Sequence, residues 1–397
     1  MSTSKPPGFF TPRLIVSAYG PTFFSTIGYG ALIPLIPLTA LQLGASVPLS
    51  ALVTGLMGVG TVVSDLPASW VTTKLGEKRS IILACLWDVV WMVVAFLATT
   101  LAVFALAVFA VGLSAAVFGL ARQTYLTEAV PIRLRARAMS SLGGTFRMGG
   151  FFGPLAGAAI VASWHLQAAY VFAATMCLFA AAVTSLLPDL PDSGNPSDPS
   201  EAQPRLFTVL RAHRAVFVTL GLGSLMINLA RIARQVVLPL WCEAIGLDPT
   251  QTSLIYAVSM GIDMTLFFLG GWIMDRFGRI WVALPSLIIL GVGLISLGFT
   301  TTATAVIVVA VILGLGNGIG AGIILTLGSD ASPTQGRAQF LAGWRLLADA
   351  GVMASPLAVA ALTTLVSLGF ATTTLGGLAF VGAAWLGYWL RHPRATQ

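Results

Sequence analysis

Long apolar runs, separated by short polar segments, dominate the chain from residue 14 to residue 390. Each run is close to the ~20 residues that an α-helix needs to cross the hydrocarbon core of a bilayer. The runs lack the strict alternation of apolar and polar positions that is typical of membrane barrel strands. We therefore predict helices, which satisfy their own backbone groups in lipid. The predicted spans, numbered in chain order, are 14–42, 48–73, 79–98, 102–127, 136–162, 166–187, 214–243, 250–274, 280–299, 303–328, 338–364 and 369–390.

One long polar insert, at residues 188–207, interrupts this pattern. Its composition, rich in proline and aspartate, is typical of a flexible linker. We therefore expect an N-terminal six-helix half over residues 1–187, a cytoplasmic linker over 188–207 and a C-terminal six-helix half over 208–397.

The composition agrees with a membrane protein, because 57% of the 397 residues are apolar and only 9% are charged. A soluble protein carries far more charge, roughly a quarter of its residues. The net charge of +7 could suit nucleic acid, but the basic residues cluster in alternate loops, so we expect a lipid bilayer and no nucleic acid as partner. The three cysteines lie in apolar runs, where packing is the usual role, so we expect no metal and no cofactor.

The basic residues also predict the orientation of the chain. The loops after the odd-numbered spans contain no Lys or Arg, whereas the loops after spans 2, 4, 8 and 10, the segment after span 6 and the C-terminal tail contain several. By the positive-inside rule, both termini and the linker are cytoplasmic, and we expect a multi-pass protein of the cell (inner) membrane. These basic residues are Lys74, Lys78, Arg79, Arg133, Arg135, Arg137, Arg205, Arg211, Arg214, Arg276, Arg279, Arg337, Arg391 and Arg394.

The second half of the chain repeats the first. The loop Gly271-Trp-Ile-Met-Asp275-Arg276-Phe-Gly278-Arg279 reads G-x-x-x-D-R-x-G-R, and a degraded copy surrounds Gly76, so the offset is 278 − 76 = 202 residues. Because one register holds over more than a hundred residues, we infer a duplicated six-helix unit, and an even number of spans makes the two copies parallel. The same offset superimposes Pro37 on Pro239, Gly44 on Gly246, Gly112 on Gly314, Glu128 on Asp330, Arg135 on Arg337, Gly149 on Gly351 and Pro154 on Pro356.

The loop motif and the duplicated twelve-span pattern resemble the major facilitator superfamily over nearly the whole chain. In span 5, Gly149-Gly-Phe-Phe-Gly153-Pro154-Leu-Ala-Gly157 is similar to the G-x-x-x-G-P-x-x-G motif of the antiporter branch, which includes bacterial drug:proton exporters. The resemblance implies an all-α membrane protein with two pseudo-symmetric halves, alternating access and a monomer. One departure is Thr73, which replaces the aspartate of the motif in the first loop.

The resemblance implies that the loop motif is a cytoplasmic gate latch. Asp275 would lie at the N-terminus of a helix from the other half, where the helix dipole favours a carboxylate. Arg276 or Arg279 would pair with Asp330, and Lys78 or Arg79 would pair with Glu128. The alternative is that these charges only set the topology. The candidate gating residues are Gly271, Asp275, Arg276, Gly278, Arg279, Asp330, Lys74, Gly76, Lys78, Arg79 and Glu128.

The span-5 motif predicts a close contact between helices, because its glycines remove the side chains that would keep two backbones apart. Its proline removes one backbone hydrogen bond and can kink the helix. The candidate residues are Gly149, Gly153, Pro154 and Gly157.

Several ionisable side chains lie inside the spans, where a charge is costly and usually faces a cavity or a partner. On span 7, Asn228, Arg231 and Gln235 share one helix face, with Arg234 beside them. In the superfamily fold, spans 1, 4, 7 and 10 line the central cavity, and arginine suits carboxylates and phosphates. We therefore expect the substrate contacts to be Asn228, Arg231, Arg234, Gln235 and Arg122. The alternative is a salt bridge between helices of one half.

The same fold implies that span 5 packs on span 8 and span 2 on span 11. Arg147 would then pair with Asp263, and Asp65 with Arg345, which is also an i, i+4 neighbour of Asp349. A carboxylate that loses its arginine in apolar surroundings takes up a proton. We expect Asp263 to be the main proton carrier and Asp65 the second, the alternative being static bridges. Asp88 lies in the peripheral span 3, and we interpret it as structural.

These observations favour a proton-coupled antiporter that exports small organic molecules or drugs, as in multidrug efflux. The alternative is a proton-coupled importer of an organic anion, which the arginines of span 7 favour. We do not expect an enzyme, because the chain contains neither H-E-x-x-H nor G-x-S-x-G. ATP is not expected to drive transport, because no G-x-x-x-x-G-K-[ST] loop occurs.

Overall fold

A computed structural model describes residues 12–130, 134–186, 206–333 and 335–392. These residues are helical throughout, with short connections, and twelve stretches among them are long and apolar enough to cross a membrane, so the predicted all-α membrane fold is confirmed. The helices, in chain order, are α1 (Pro12–Leu32), α2 (Ile36–Gln42), α3 (Val47–Leu75), α4 (Glu77–Leu97), α5 (Leu101–Ala129), α6 (Arg135–Ser163), α7 (Ala168–Ser185), α8 (Leu206–Ala212), α9 (Arg214–Val216), α10 (Leu222–Ala244), α11 (Pro249–Phe277), α12 (Ile280–Leu297), α13 (Ala303–Ile319), α14 (Ile323–Ala331), α15 (Arg337–Leu365) and α16 (Leu368–Arg391). A π-helical turn, Phe217–Gly221, joins α9 to α10.

The helix boundaries lie within a few residues of the predicted spans. Two spans, however, are broken, and the hydrophobic pattern did not predict the breaks. Span 1 consists of α1 and α2, separated at residues 33–35, and span 10 consists of α13 and α14, separated at residues 320–322. A broken helix exposes backbone groups that need partners from other elements.

The repeat seen in the sequence is also present in the backbone geometry. Gly76 and Gly278 have positive φ angles of 75° and 98°, and each separates two successive helices. A side chain at these positions would be strained, because the left-handed region is costly for residues with a Cβ. The equivalent threonines Thr100 and Thr302 each cap the following helix, accepting hydrogen bonds from Val103 N and Ala305 N.

The chain divides into two compact units. Unit one comprises residues 1–32 and 59–193, and unit two comprises residues 33–58 and 194–397. In unit one, α1 packs on α6 and α7, and α4 packs on α5 and α7. In unit two, α10 packs on α15, α11 on α13 and α12 on α16. The predicted boundaries of the two halves stay a prediction, and most of the linker, with Arg133, Arg205 and Arg394, lies outside the described residues.

The π-helical turn of unit two contacts α16 through one of its backbone carbonyls. The carbonyl of Thr219, within the turn, accepts a hydrogen bond of 2.8 Å from the indole nitrogen of Trp385 on α16. The same carbonyl accepts from the backbone N–H of Leu222, so it bonds both within its own helix and to the indole. The turn thereby fixes α16 against the start of span 7.

Candidate functional site

The most buried acidic group of unit two is Asp263, on α11. Its residue is 4% exposed, and its Oδ2 lies 2.5 Å from the side-chain nitrogen of Asn317 on α13. The same oxygen lies 4.0 Å from Nη2 of Arg234 on α10. A hydrogen bond to a carboxylate at this distance is strong, whereas 4.0 Å is the outer limit of an ion pair. Three helices of unit two therefore meet at one carboxylate.

Small residues allow these helices to approach. A Cβ on Gly318 would lie 3.0 Å from both the Cα and the carbonyl oxygen of Asp263, and a Cβ on Gly314 would overlap the carbonyl of Ser259. The glycines therefore bring the backbone of α13 against α11, which places the neighbouring Asn317 within reach of the acid. Sequence reasoning missed Asn317, although an amide within a glycine-rich membrane helix was a signal that could have found it.

Arg234 is almost completely buried, with 1% of its surface exposed. Its Nη1 donates a hydrogen bond of 2.8 Å to the hydroxyl of Ser259, one turn before Asp263 on the same helix. Both contacts lie within unit two. Arg234 therefore forms a helix-to-helix contact of the kind given as the alternative to substrate binding, and its expected role as a substrate contact stays a prediction.

The other candidates on α10 contact backbone carbonyls. Arg231 donates through Nη2 to the carbonyl of Gly320, at the break between α13 and α14. Asn228 donates through its side-chain amide to the carbonyl of Ala348 on α15, at 2.9 Å. Gln235, the third member of this predicted face, is half-buried. A helix break leaves carbonyls without intrahelical donors, and a guanidinium is well suited to bind one. Arg231 thus bridges span 7 to the broken span 10.

Arg122, on α5 of unit one, has a different environment. Its Nη1 lies 3.5 Å from the hydroxyl of Thr22, and its guanidinium lies 5.5 Å from the ring centroid of Phe118. Its Nε is buried without a hydrogen-bond partner, and no carboxylate among the described residues pairs with it. A half-buried guanidinium with unused donors is suited to an anionic ligand.

The loop motif of unit two contains a two-point ion pair. Arg279 contacts Asp330 through Nε–Oδ2 at 2.7 Å and Nη2–Oδ1 at 3.3 Å. The hydrogen bond to Asp330 raises the pKa of Arg279 above its already basic ordinary value. Of the two predicted arginines, Arg276 instead lies over the rings of Trp272 and Phe277. Asp275 is exposed, and its predicted contact with the other half stays a prediction.

The first loop differs from this arrangement. The ammonium group of Lys74 lies 4.3 Å from the ring centroid of Trp70. Glu128 is exposed, and among the described residues it forms no ion pair with Lys78 or Arg79. The predicted latch of the first loop stays a prediction. An exposed ion pair between long side chains gains little over solvation by water, so such a pair would depend on the conformation of the protein.

The span-5 motif packs α6 on α1 within unit one. A Cβ on Gly153 would lie 2.5–2.8 Å from backbone atoms of Ile27, Gly30 and Ala31, and a Cβ on Gly149 would overlap Thr26. A Cβ on Gly157 would lie 3.2–3.3 Å from atoms of Ala31, which is closer than an ordinary van der Waals contact. Pro154 lies inside α6, which runs without a break through it. The motif therefore produces backbone-to-backbone packing.

The remaining candidates are four charged residues. Arg345 and Asp349 form an i, i+4 ion pair on α15, with Nε–Oδ2 at 3.5 Å. Asp65 on α3 and Arg147 on α6 are half-buried and belong to unit one. The pairing of Arg147 with Asp263 and of Asp65 with Arg345 stays a prediction.

Comparisons with known proteins agree with this architecture. The family model of the Major Facilitator Superfamily matches residues 21–341 and 220–397. Among curated proteins, no sequence matches this chain significantly.

Solved structures with a similar fold include several transporters. A POT family transporter in complex with 5-aminolevulinic acid is 12% identical, with 98% of each chain covered and a TM-score of 0.81. A bacterial homolog of the human lysosomal transporter Spinster is 14% identical, with 98% of each chain covered and a TM-score of 0.79. The nucleoside transporter NupG is 11% identical, with 94% of this chain and 99% of that chain covered and a TM-score of 0.79. With its twelve apolar helices and a family match over most of its length, this chain belongs to the Major Facilitator Superfamily of membrane transporters.

Proposed function

We propose that this chain is a proton-coupled secondary transporter that exports small organic molecules in exchange for protons. The observation that carries the proposal is the buried carboxylate of Asp263, which has an amide donor at 2.5 Å and a guanidinium at 4.0 Å. A carboxylate buried among membrane helices is costly unless it is paired or protonated. Such a group can therefore exchange a proton when its partners move.

Asn317 and Arg234 have different parts in this proposal. Asn317 donates to Asp263 whether the acid is charged or neutral, because a carboxyl oxygen accepts in both forms. Arg234 favours only the charged form, and its distance from the acid is already at the limit of an ion pair. A small withdrawal of Arg234 would remove a positive charge from the buried Asp263 and so favour uptake of a proton. Alternating access supplies such a displacement, because it moves helices against one another.

The export direction rests on the resemblance of the α6 motif to that of antiporters. The similar structures include a POT family transporter in complex with 5-aminolevulinic acid and a nucleoside transporter. This range supports a small organic molecule as cargo and does not identify one.

A second candidate function, proton-coupled import of an organic anion, is favoured by Arg122. This guanidinium has no carboxylate partner among the described residues, and its Nε has no acceptor. A carboxylate or phosphate of the cargo would supply both a charge and acceptors. In that case Arg122→Gln raises the KM for the anion by about tenfold or more, since hydrogen bonds to charged groups contribute about 1.5–3 kcal/mol. Arg391→Gln, at the end of α16, is the matched control and leaves the KM unchanged.

The test uses the purified chain in liposomes that contain a pH-sensitive dye. Lipophilic cations and organic anions are added one at a time, and proton movement is recorded. Protons that leave the lumen as a compound enters establish exchange. Protons that move in the same direction as an anion replace the first function by the second. If none of the compounds moves protons, proton coupling is wrong and only the family membership stands.

A further inference from the structure

A second buried acid, Asp88, lies in unit one and has no role in the proposed function. It is on α4 and is 1% exposed. The hydroxyl of Tyr29, on α1, lies 2.7 Å from its Oδ2. The hydroxyl of Ser114, on α5, is in short contact with its Oδ1. Three helices of unit one therefore meet at this carboxyl group through two hydroxyls.

Asp88 has no cationic partner in the described part of the chain, where none of the Lys, Arg or His side chains forms an ion pair with it. The titratable groups that face it are Tyr29 from α1, Cys85 from its own helix and Cys177 from α7. All three are neutral in their ordinary protonation states at pH 7. A lone carboxylate in such a site is costly, because neither water nor a cation compensates its charge.

The hydrogen atoms available to the cluster also favour a neutral acid. The hydroxyl of Ser114 lies 2.7 Å from the carbonyl of Val111 as well as next to Asp88. With Asp88 ionised, two hydroxyl hydrogens must serve three acceptors, namely the two carboxylate oxygens and that carbonyl. With a proton on Oδ1, Asp88 donates to Ser114, Ser114 donates to Val111, and Tyr29 donates to Oδ2. Each of these three contacts is then a hydrogen bond with its own hydrogen atom.

We propose that Asp88 is a proton-binding site of unit one, held in its neutral form by burial away from any paired cation, with Tyr29 and Ser114 as its hydrogen-bond partners. It is a different site from Asp263 in unit two and goes beyond the proposed function. No co-reactant is needed, because the step is the uptake or release of one proton at Oδ1, exchanged with water.

The position of Tyr29 links this proton to the packing of α1. The residues on either side of Tyr29 are glycines that allow close contact with neighbouring helices. A Cβ on Gly28 would lie 3.1 Å from the carbonyl of Ala173 on α7, and a Cβ on Gly30 would lie 2.8 Å from the carbonyl of Gly149 on α6. Helix α1 thus packs closely on α7 at Gly28 and on α6 at Gly30. Between these two positions, the hydroxyl of Tyr29 bonds α1 to Asp88 on α4. Loss of the proton from Asp88 changes the hydrogen bonding at that attachment.

The test is infrared difference spectroscopy on the full-length protein in lipid vesicles, with the pH raised in steps. A protonated carboxyl group shows a C=O stretch that shifts in D₂O. We expect such a band in the wild type and its loss in Asp88→Asn. Because the amide resembles the neutral acid, that variant is expected to fold. In Tyr29→Phe the band persists to a pH about 1–2 units higher, since the charged form loses a donor.

The control is Glu243→Gln, which removes an exposed carboxyl group and leaves the band unchanged. The proposal is overturned if Asp88→Asn retains the band, or if the wild type shows no protonated carboxyl above about pH 6, where exposed carboxyl groups are ionised. If Asp88→Asn does not fold, Tyr29→Phe and Ser114→Ala decide, because a band that neither of them shifts does not belong to Asp88. The spectra report protonation without transport, so they are independent of the liposome test.

Discussion

The side-chain amide of Asn317 lies 2.5 Å from the carboxylate of Asp263, and the two residues are on different helices of unit two. The contact exists because Gly318 has no side chain to separate α13 from α11. Asp263 therefore has a donor that stays with it in either protonation state, together with the more distant Arg234. In this arrangement Asn317 holds the carboxyl group in place, whereas Arg234 favours its charged form.

Asp263→Asn is expected to abolish transport driven by a pH gradient. Asparagine retains the size and the hydrogen bonding with Asn317 but cannot release a proton. The measurement is the accumulation of cargo in vesicles with an imposed pH difference. It is compared with the exchange of internal for external cargo, which needs no proton. Glu243→Gln, an exposed acid on α10, is the control and accumulates cargo normally. Full pH-driven accumulation by Asp263→Asn would remove this residue from the coupling mechanism.

Gly153→Ala is expected to destabilise unit one by about 1–3 kcal/mol or more, because the added methyl group would lie 2.5–2.8 Å from the backbone of α1. The melting temperature of the purified protein in detergent measures the effect. Gly144→Ala is a matched control on the same helix, since its Cβ has no neighbour within 4 Å. Equal melting temperatures for the two variants would contradict the close contact between α1 and α6.

Breaking the ion pair of the loop motif is expected to change stability little. The side chains of Arg279 and Asp330 are 35% and 48% exposed, so Arg279→Asp should change the free energy of unfolding by about 1 kcal/mol or less. If the pair is part of a gate, transport falls far more than stability does. Adding Asp330→Arg restores the opposite charges and should recover transport. Failure of this charge swap, with both variants folded, would favour a role in topology alone.

The pH dependence of this ion pair follows from the raised pKa of Arg279. A base whose pKa is higher in the folded state stabilises the fold below its unfolded pKa and loses that contribution as the pH rises through the folded value. Both pKa values lie in the strongly basic range that is ordinary for arginine, far above neutral pH. Titration of Arg279 should therefore not weaken the pair between pH 6 and pH 9. A pair-dependent loss of stability in that range, present in the wild type and absent in Arg279→Asp, would contradict this expectation.

Trp385→Phe tests the π-helical turn. The substitution removes the only hydrogen-bond donor of the indole and leaves the carbonyl of Thr219 without this partner, at a cost of about 1–3 kcal/mol. The melting temperature should fall. Trp281→Phe, at a site that is 63% exposed, controls for the smaller ring and should leave it unchanged. An unchanged melting temperature in Trp385→Phe would mean that the freed carbonyl finds another donor.

The sequence predicted the helices well because hydropathy over about 20 residues reports directly on the bilayer. It did not predict the breaks at residues 33–35 and 320–322, since glycine and proline also occur inside continuous membrane helices. Asp88 shows the same limit for the site. Its place in the peripheral span 3 suggested a structural charge, and the sequence could not show that hydroxyls from two other helices contact it.

The sequence by itself determined the number of spans, the duplication at an offset of 202 residues and the presence of charges inside the membrane. These properties are local or periodic, so they can be read from one chain. Only the tertiary structure decided what each charge contacts. Asp88 meets Tyr29 across 59 residues, Asp263 meets Asn317 across 54, and Arg231 meets the carbonyl of Gly320 across 89. Such contacts depend on how each helix is rotated about its axis and on where glycines allow close approach. The hydropathy of the sequence reports neither the rotation nor the approach.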